Sequence, residues 1–395
     1  ALEREETLFV VPSLLLALGS VGGERARRAL ADYAPPEARE RSEEKHAADI
    51  REALGKARAR LSEEALPVYA PAGPRRFLAC APEGFAGTLL EELRGLGLEA
   101  EPAGAGCAVE TADWRALYRS RCMTELLLPL GAGLPLEPEA IASVAAPELS
   151  LPYRIELAGY AGDRGAFLRR LKNACGGENN PARYALELRV LCRGESCELY
   201  LKPSCDESGR YPWRRRALSA SMKPALAACL ARHVAPLVDH PRVLDPFAGS
   251  GTLLFSMEEA FPCRSLLGVD IAKSAVEAAR ENAAAGKSRA RFVQQDILRF
   301  APRERVELVV ANLPFGNRVG THESNRRLYA GFLDRLPLLI TDGGLALLYT
   351  MEYRLLTELI KKRPALRLTD ARRTEAGGLL PWLCLLRLDG RAARP

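Results

Sequence analysis

The sequence lacks the features of a membrane protein, of a secreted protein and of a metal site. No apolar stretch is long enough to span a membrane. The apolar run from Leu8 to Leu18 follows acidic residues, which argues against a signal peptide. The ten cysteines form no CxxC pair, and the tightest local cluster is Cys192, Cys197 and Cys205. We therefore expect reduced thiols in a cytoplasmic protein, with no metal ion.

A strong excess of charge of either sign is also missing. The chain carries 56 Lys and Arg against 50 Asp and Glu, a net charge of +6. This balance permits a nucleic-acid partner without requiring one. At 395 residues the chain is long enough for two or more domains.

The first segment, 1–66, is predicted to be helical. Residues 13–33 combine an apolar helix, a glycine turn and an amphipathic helix, which resembles one HEAT repeat, and a further helical pattern covers 47–61. One repeat cannot bury a solenoid core alone. We therefore expect either the end of a longer array or a hairpin docked on the next domain. This HEAT-like segment is our candidate for binding a protein partner.

Two small modules are predicted next. Pro67, Pro71 and Pro74 mark a linker. The module at 74–131 has a ferredoxin-like order of strand, helix, strand, helix and strand, at 77–81, 85–96, 108–110, 113–122 and 125–130. The module at 132–205 has a strand, a helix and two strands, at 153–157, 164–175, 184–191 and 198–202.

Residues 231–395 alternate strands and helices, which predicts an α/β domain with a Rossmann-like, doubly wound sheet. We expect strands at 242–246, 265–269, 290–293, 306–311 and 344–350, and a closing hairpin at 366–372 and 381–388. Ligands bind at the carboxyl ends of such strands. Asp245, Asp270, Asp296 and Asn312 lie at predicted strand ends, so we expect them around one crevice.

The first strand leads into a glycine-rich turn, Asp-Pro-Phe-Ala-Gly-Ser-Gly-Thr at 245–252. Gly249 and Gly251 lack Cβ atoms, so the turn can approach a nucleotide-like cofactor. Asp270 could accept both ribose hydroxyls, Asp296 the adenine amino group, and the Ile297 amide could serve a ring nitrogen. Each aspartate could instead cap a helix or occupy a solvated turn. The predicted cofactor-binding residues are Asp245, Pro246, Phe247, Ala248, Gly249, Gly251, Thr252, Asp270, Ile271, Asp296, Ile297 and Asn312.

The segment Asn312-Leu313-Pro314-Phe315 is the predicted catalytic corner. An exocyclic amine is a poor nucleophile because its lone pair delocalises into the ring. The Asn312 side-chain oxygen and the Leu313 carbonyl could accept hydrogen bonds from its two N–H groups and so aim the nitrogen lone pair at a methyl donor. Pro314 would fix the turn, and Phe315 would stack on the base. Catalysis would then depend mainly on positioning. The alternative is a strand-ending proline turn with a core phenylalanine.

These two motifs resemble those of class I S-adenosylmethionine methyltransferases that methylate exocyclic amines of nucleobases. Further segments resemble the THUMP-domain guanine-N2 RNA methyltransferases: Gly84, Glu91–Leu93, Leu117–Arg121, Gly209–Arg214, Ser221–Pro224, Gly316–Gly320 and Leu328–Tyr329. The resemblance implies S-adenosylmethionine as cofactor. It also implies a ferredoxin-like module and a THUMP-like module, here 132–205, that hold the tRNA acceptor stem, and a linker, here 206–230, before the methyltransferase domain.

The linker supplies most of the predicted RNA contacts. Arginines beside aromatic residues suit phosphate and base contacts. A plain basic loop, with Ser221 as the N-cap of the next helix, is an open alternative. The predicted RNA-binding residues are Arg210, Tyr211, Trp213, Arg214, Arg215, Arg216, Lys223 and Arg318.

We therefore predict a cytoplasmic RNA methyltransferase of tRNA processing that transfers methyl to the N2 amine of a guanosine. Ribosomal RNA is the other RNA substrate considered. An adenine-N6 methyltransferase of RNA or DNA is an alternative within the enzyme class. Adenine-N6 enzymes commonly carry proline where this chain has Leu313, and this difference and the Arg318 loop favour guanine. A non-catalytic RNA-binding scaffold with an inactive methyltransferase domain is the alternative outside it.

Overall fold

The computed structural model describes residues 10–35, 44–61, 66–204, 209–218, 221–315, 322–375 and 378–389. The chain forms two compact units. The first comprises Ala1–Ala72 and Leu127–Cys205, and the second comprises Gly73–Leu126 and Asp206–Pro395. The helical N-terminal segment therefore shares a unit with the module after Leu126, whereas the module before it shares a unit with the C-terminal half.

Three helices come first, and strands and helices are interleaved after them. The helices are α1 (Val11–Val21), α2 (Glu24–Asp32), α3 (Glu44–Arg60), α4 (Ala86–Gly95), α5 (Pro138–Ala145), α6 (Arg164–Cys175), α7 (Pro224–Val234), α8 (Thr252–Ala260), α9 (Lys273–Gly286), α10 (His322–Leu339) and α11 (Tyr353–Lys361). The strands are β1 (Arg75–Cys80), β2 (Ala100–Ala103), β3 (Gly106–Thr111), β4 (Glu125–Pro135), β5 (Tyr153–Ala158), β6 (Leu186–Arg193), β7 (Ser196–Pro203), β8 (Arg242–Asp245), β9 (Ser265–Asp270), β10 (Arg291–Gln294), β11 (Val306–Asn312), β12 (Ile340–Thr350), β13 (Leu366–Arg373) and β14 (Trp382–Leu388). Within the described ranges, no helix is long and apolar enough to cross a bilayer.

In the first unit, α1, α2 and α3 pack around Leu15, Leu30 and Ile50. The predicted helices of this segment are confirmed. A Cβ atom on Gly19 would lie 2.8 Å from the Ala57 Cα, so glycine is what allows α1 and α3 to cross closely. The same unit contains the mixed strand order β4-β7-β6-β5, in which β5 and β6 are parallel and joined through α6. The helix α5 was not predicted from the sequence.

In the second unit, β2, β3 and β1 form an antiparallel sheet beside α4. The predicted order was incomplete: β2 was missed, and the helix expected at 113–122 is a short 3₁₀ helix, Trp114–Arg119. This 3₁₀ helix has six residues, about two turns, and it ends before Ser120, whose backbone is extended.

A buried carboxylate joins α4 to α7 in this unit. Glu92 accepts hydrogen bonds from the Ser120 hydroxyl and from the backbone N–H groups of Arg121 and Cys122, and it pairs with Arg232 at 2.9 Å. Burial opposes its charge, but these donors hold the Glu92 pKa below its usual value. Glu92 and Ser120 both lie in segments that resemble the THUMP-domain enzymes. Their contacts attach the small sheet to the C-terminal half.

The sheet of that half has the order β10-β9-β8-β11-β12-β14-β13. Its first five strands are parallel, and β14 is antiparallel to both neighbours. This arrangement confirms the predicted Rossmann-like sheet with a closing hairpin. Apolar side chains of β11, β12, α10 and α11, including Val309, Leu348, Phe332 and Leu356, form the core on one side. The parallel strands place their carboxyl ends along one edge.

Candidate functional site

The first carboxylate at this edge, Asp245, is buried at the end of β8. Its Oδ1 accepts a hydrogen bond of 3.0 Å from the Phe247 N–H. Burial raises the Asp245 pKa to about 8; the Phe247 N–H opposes this rise, and the nearby Asp270 carboxylate adds to it. Asp245 therefore holds the backbone of the turn through a buried hydrogen bond. Its carboxyl group is largely protonated below that pH.

The two glycines of the turn have different reasons to be glycine. Both have a positive φ, 51° at Gly249 and 87° at Gly251. A Cβ atom on Gly249 would meet nothing within 4 Å, so this residue borders open space, as a cofactor loop requires. A Cβ atom on Gly251 would lie 2.7 Å from the Phe255 ring and 2.8 Å from the Phe292 ring. Gly251 therefore allows the turn to pack closely onto the core, and its contact with a cofactor stays a prediction.

The next two carboxylates hold backbone turns. Asp270 Oδ2 accepts from the Gly249 N–H and its Oδ1 from the Ala272 N–H, both at 2.9 Å. Asp296 Oδ1 accepts from the Leu298 N–H at 2.9 Å. Both aspartates therefore stabilise backbone turns, which was the alternative to cofactor binding. Each carboxylate oxygen has a second lone pair, so the same groups can also accept from a ligand. Beside them, Ile271 is 69% exposed, an apolar side chain at the sheet edge.

The end of β11 carries a buried acceptor. Asn312 Oδ1 is inaccessible to solvent and has no hydrogen-bond partner in the described part of the chain. The Leu313 N–H donates to the Tyr349 carbonyl at 2.9 Å, which continues the sheet pairing past the strand. The Phe315 ring lies 6.2 Å from the Tyr349 ring. A buried unsatisfied oxygen is costly, so its presence at a strand end points to a ligand group that pairs with it.

Two side chains of α10 hold the corner after Asn312. The Pro314 carbonyl accepts from Asn325 Nδ2 at 3.2 Å and from the Tyr329 hydroxyl at 2.7 Å. The Tyr329 hydroxyl also lies 2.8 Å from the Thr350 hydroxyl, and burial raises the Tyr329 pKa. The sequence analysis did not identify Asn325, and it noted Tyr329 only through a resemblance. Asn325 and Tyr329 are four positions apart and so lie on the same face of α10. This spacing was the pattern in the sequence that could have identified the pair.

The chain is similar in sequence to known methyltransferases. Residues 256–381 match the family model described as RMKL-like, methyltransferase domain (UPF0020). The tRNA (guanine(6)-N2)-methyltransferase of Thermus thermophilus is 35% identical over 212 residues, which cover 52% of this chain and 61% of that protein. The tRNA1(Val) (adenine(37)-N6)-methyltransferase of Vibrio campbellii is 30% identical over 116 residues, which cover 27% of this chain and 48% of that protein. The chain thus spans less than two thirds of either curated relative.

The crystal structure of TrmN from Thermus thermophilus matches with a TM-score of 0.62 and 30% identity, over 79% of this chain and 99% of that chain. This chain belongs to the TrmN family of methyltransferases. The family membership agrees with the class I methyltransferase fold predicted from the glycine-rich turn and the strand order.

The linker of this TrmN-family chain is packed against the catalytic sheet's helices. The buried Arg210 donates to the carbonyls of Ser120 and Met123. The Trp213 ring lies 5.1 Å from the Phe255 ring, and its Nε1 donates to Glu259. The prediction that Arg210 and Trp213 contact RNA is therefore wrong, because both are enclosed by the protein.

The remaining predicted RNA contacts differ in exposure. The Tyr211 hydroxyl donates to the Arg121 carbonyl at 2.6 Å, and the Arg214 guanidinium donates to the Met222 carbonyl at 3.2 Å. Burial raises the Tyr211 pKa and lowers the Arg214 pKa, and both side chains are half-buried. Arg215, Arg216 and Lys223 are exposed. Arg318 and its glycine loop lie outside the described residues.

Ser221 does not cap α7, since Lys223 occupies the N-cap position without a side-chain bond and Pro224 begins the helix. The Ser221 hydroxyl instead accepts from the Leu218 N–H and pairs with the Ser250 hydroxyl, each at 2.8 Å. Of the cysteines suggested as a cluster, Cys192 and Cys197 face each other across β6 and β7, and Cys205 is outside the described residues. In the described ranges no group of three His, Cys, Asp or Glu side chains could hold a metal ion.

Proposed function

We propose that this chain is an S-adenosylmethionine-dependent methyltransferase that modifies the N2 amine of a guanosine in tRNA. The observation that carries the proposal is the Asn312 Oδ1 atom, a buried acceptor with no partner among the described residues. The exocyclic amine of guanine supplies two N–H donors. One of them would satisfy this oxygen, and the other would be available to the Leu313 carbonyl.

The residues at the sheet edge fit the proposed cofactor. Gly249 borders open space, Asp270 and Asp296 keep free lone pairs, and Ile271 offers an apolar surface for an adenine ring. When bound, S-adenosylmethionine would supply an electrophilic methyl group attached to a positively charged sulfur. Asp270 would hold the ribose and Asp296 the adenine amine.

The protein's part of the reaction is positioning. Asn312 Oδ1 and the Leu313 carbonyl would accept hydrogen bonds from the two N–H groups of the amine and turn the nitrogen lone pair away from the ring. Phe315 would stack on the base, and Asn325 and Tyr329 keep the Pro314 carbonyl fixed so that the corner does not move. The nitrogen loses its extra proton readily after methyl transfer, so no strong base is required.

The names of both curated relatives specify tRNA, one with guanine N2 and one with adenine N6 as the target. This supports tRNA as the substrate class and leaves the base to be tested. The match to the guanine enzyme is longer. Leu313 also stands where the resemblance to adenine-N6 enzymes implies a proline. We further propose that the module at 132–205 acts as a THUMP-like RNA-binding module and that the HEAT-like segment binds a protein partner.

The test is methylation of unmodified tRNA transcripts by the purified chain, followed by digestion and mass spectrometry of nucleosides. We expect N2-methylguanosine, and none from a matched transcript with adenosine in place of guanosine 6, the position in the relative's name. Formation of N6-methyladenosine instead would establish the adenine alternative. If neither product forms with any tRNA, the proposed function is wrong.

A further inference from the structure

A buried asparagine on α9 connects the RNA-facing linker to the cofactor turn. Asn282 is 1% exposed. Its Oδ1 accepts from the backbone N–H groups of Arg215 at 3.0 Å and Arg216 at 2.8 Å. Its Nδ2 donates to the Arg216 carbonyl at 2.8 Å and to the Ser250 carbonyl at 3.0 Å. These bonds use both lone pairs of the oxygen and both hydrogens of the nitrogen.

The four hydrogen bonds of Asn282 are divided between two segments. Three of them hold the backbone of the linker, whose Arg215 and Arg216 side chains are exposed. The fourth holds Ser250, which lies between Gly249 and Gly251 in the cofactor turn. The Ser221–Ser250 hydroxyl pair is a second connection between the same segments. A displacement of either segment therefore strains bonds to the other.

Close packing on the same helix restricts how the linker can move. A Cβ atom on Gly286 would lie 2.5 Å from the Trp213 Cβ, and Trp213 packs on Phe255 of α8. Because buried contacts of this density have few alternative arrangements, we expect a movement of 215–216 to displace Ser250 as well.

We propose that Asn282 is a positioning residue that couples RNA binding at the linker to cofactor binding at the turn. This inference rests on the proposed function, since it requires both ligands. It predicts that each ligand raises the affinity of the chain for the other by the same factor, as thermodynamic linkage demands. Ordering of 215–216 by RNA would hold the Ser250 carbonyl in the position that the bound cofactor also requires.

The experiment is calorimetric titration of the full chain with S-adenosylhomocysteine, in the absence and presence of an unmodified tRNA transcript. For the wild-type chain we expect the transcript to tighten binding by about 5-fold or more, within the usual range for coupled sites. Asn282→Ala should bring this factor close to one. The matched control is Glu281→Ala, which removes the neighbouring carboxylate that pairs with the exposed Arg216 side chain at 2.7 Å, and it should keep the wild-type factor.

A merely structural asparagine would change each single-ligand affinity or the melting temperature and leave the factor intact, and that outcome would overturn the proposal. So would a wild-type factor of one. If Asn282→Ala does not fold, Ser221→Ala replaces it and should lower the factor; an unchanged factor there also overturns the proposal. A wild-type chain that binds neither ligand would instead refute the proposed function, and the inference with it.

Discussion

The oxygen of Asn312 illustrates a conflict between stability and activity at the scale of single residues. A buried acceptor without a partner costs about 1–3 kcal/mol, so its removal need not destabilise the fold. We expect Asn312→Ala to leave the free energy of unfolding unchanged within about 1 kcal/mol. Methyl transfer should fall on the order of 10²-fold, as for the loss of one transition-state partner. Denaturant unfolding and single-turnover assays measure the two effects.

The control for this variant is Asn325→Ala. Asn325 is buried and bonded to the Pro314 carbonyl, so its loss should lower stability by about 1–2 kcal/mol. Asn312→Ala itself should bind the cofactor with an affinity within a few-fold of that of the wild-type chain. Near-normal activity of Asn312→Ala would refute the amine clamp, and a large stability loss would show that Asn312 serves the fold.

Asp245 gives the chain a pH-dependent stability term. Its folded pKa of about 8 lies above the usual value of 3.8, so the folded state binds the extra proton between these values. This contribution is full below about pH 4 and is lost as pH rises toward 8. Asp245→Asn keeps the shape without titrating. The stability difference, wild type minus Asp245→Asn, should therefore decrease from pH 5 to pH 8 in urea unfolding. Parallel curves would contradict the burial argument.

The positions of candidate site residues were predictable from sequence where a strand end constrained them, and not where packing decided them. Asp245, Asp270 and Asn312 end apolar runs and Asp296 comes two residues after β10, and parallel strands bring such ends together. The linker offered no such constraint. Arginines beside aromatic residues look the same in sequence whether they bind RNA or, like Arg210 and Trp213, lie inside the protein.

At the scale of elements, Gly286 decides how closely the linker approaches α9. It is the last residue of its helix, as Gly95 is of α4. A Cβ atom on Gly286 would lie 2.5 Å from the Trp213 Cβ, whereas one on Gly95 would meet nothing within 4 Å. Gly286→Ala should therefore destabilise the chain by about 1–3 kcal/mol. Gly95→Ala should be neutral or stabilise it by up to about 1 kcal/mol. Denaturant unfolding of both variants checks this; equal effects would disprove the packing argument.

The strength of the apolar pattern explains which elements could be predicted from the sequence. Most of the central strands of the C-terminal sheet contain apolar runs, and their bounds were predicted closely, although β12 begins at Ile340 and not at 344. The strand β2 reads Ala-Glu-Pro-Ala, and α5 follows a proline-rich stretch, so neither carries a strong period. The 3₁₀ helix Trp114–Arg119 shares the apolar spacing of an α-helix, so the sequence pattern does not distinguish the two.

At the scale of the whole molecule, the question is which surface holds the RNA. A single base in the crevice offers little area, so most affinity should come from phosphates outside it. Among the predicted linker contacts, Arg215, Arg216 and Lys223 remain exposed. Lys and Arg that contact phosphates release counterions, and this makes affinity fall with salt. These three residues are therefore the revised candidates for phosphate contacts.

Replacing Arg215, Arg216 and Lys223 with Gln should weaken tRNA binding and flatten its salt dependence. Each lost phosphate contact should reduce the log–log slope by roughly 0.7–0.9. The matched control removes the same charge from the exposed Arg264, Arg289 and Arg305, which precede β9, β10 and β11 and so lie at the opposite edge of the sheet. Filter-binding titrations at several salt concentrations give the slopes. If both triple variants lower the slope equally, only net charge matters, and the linker is not the phosphate-contacting surface.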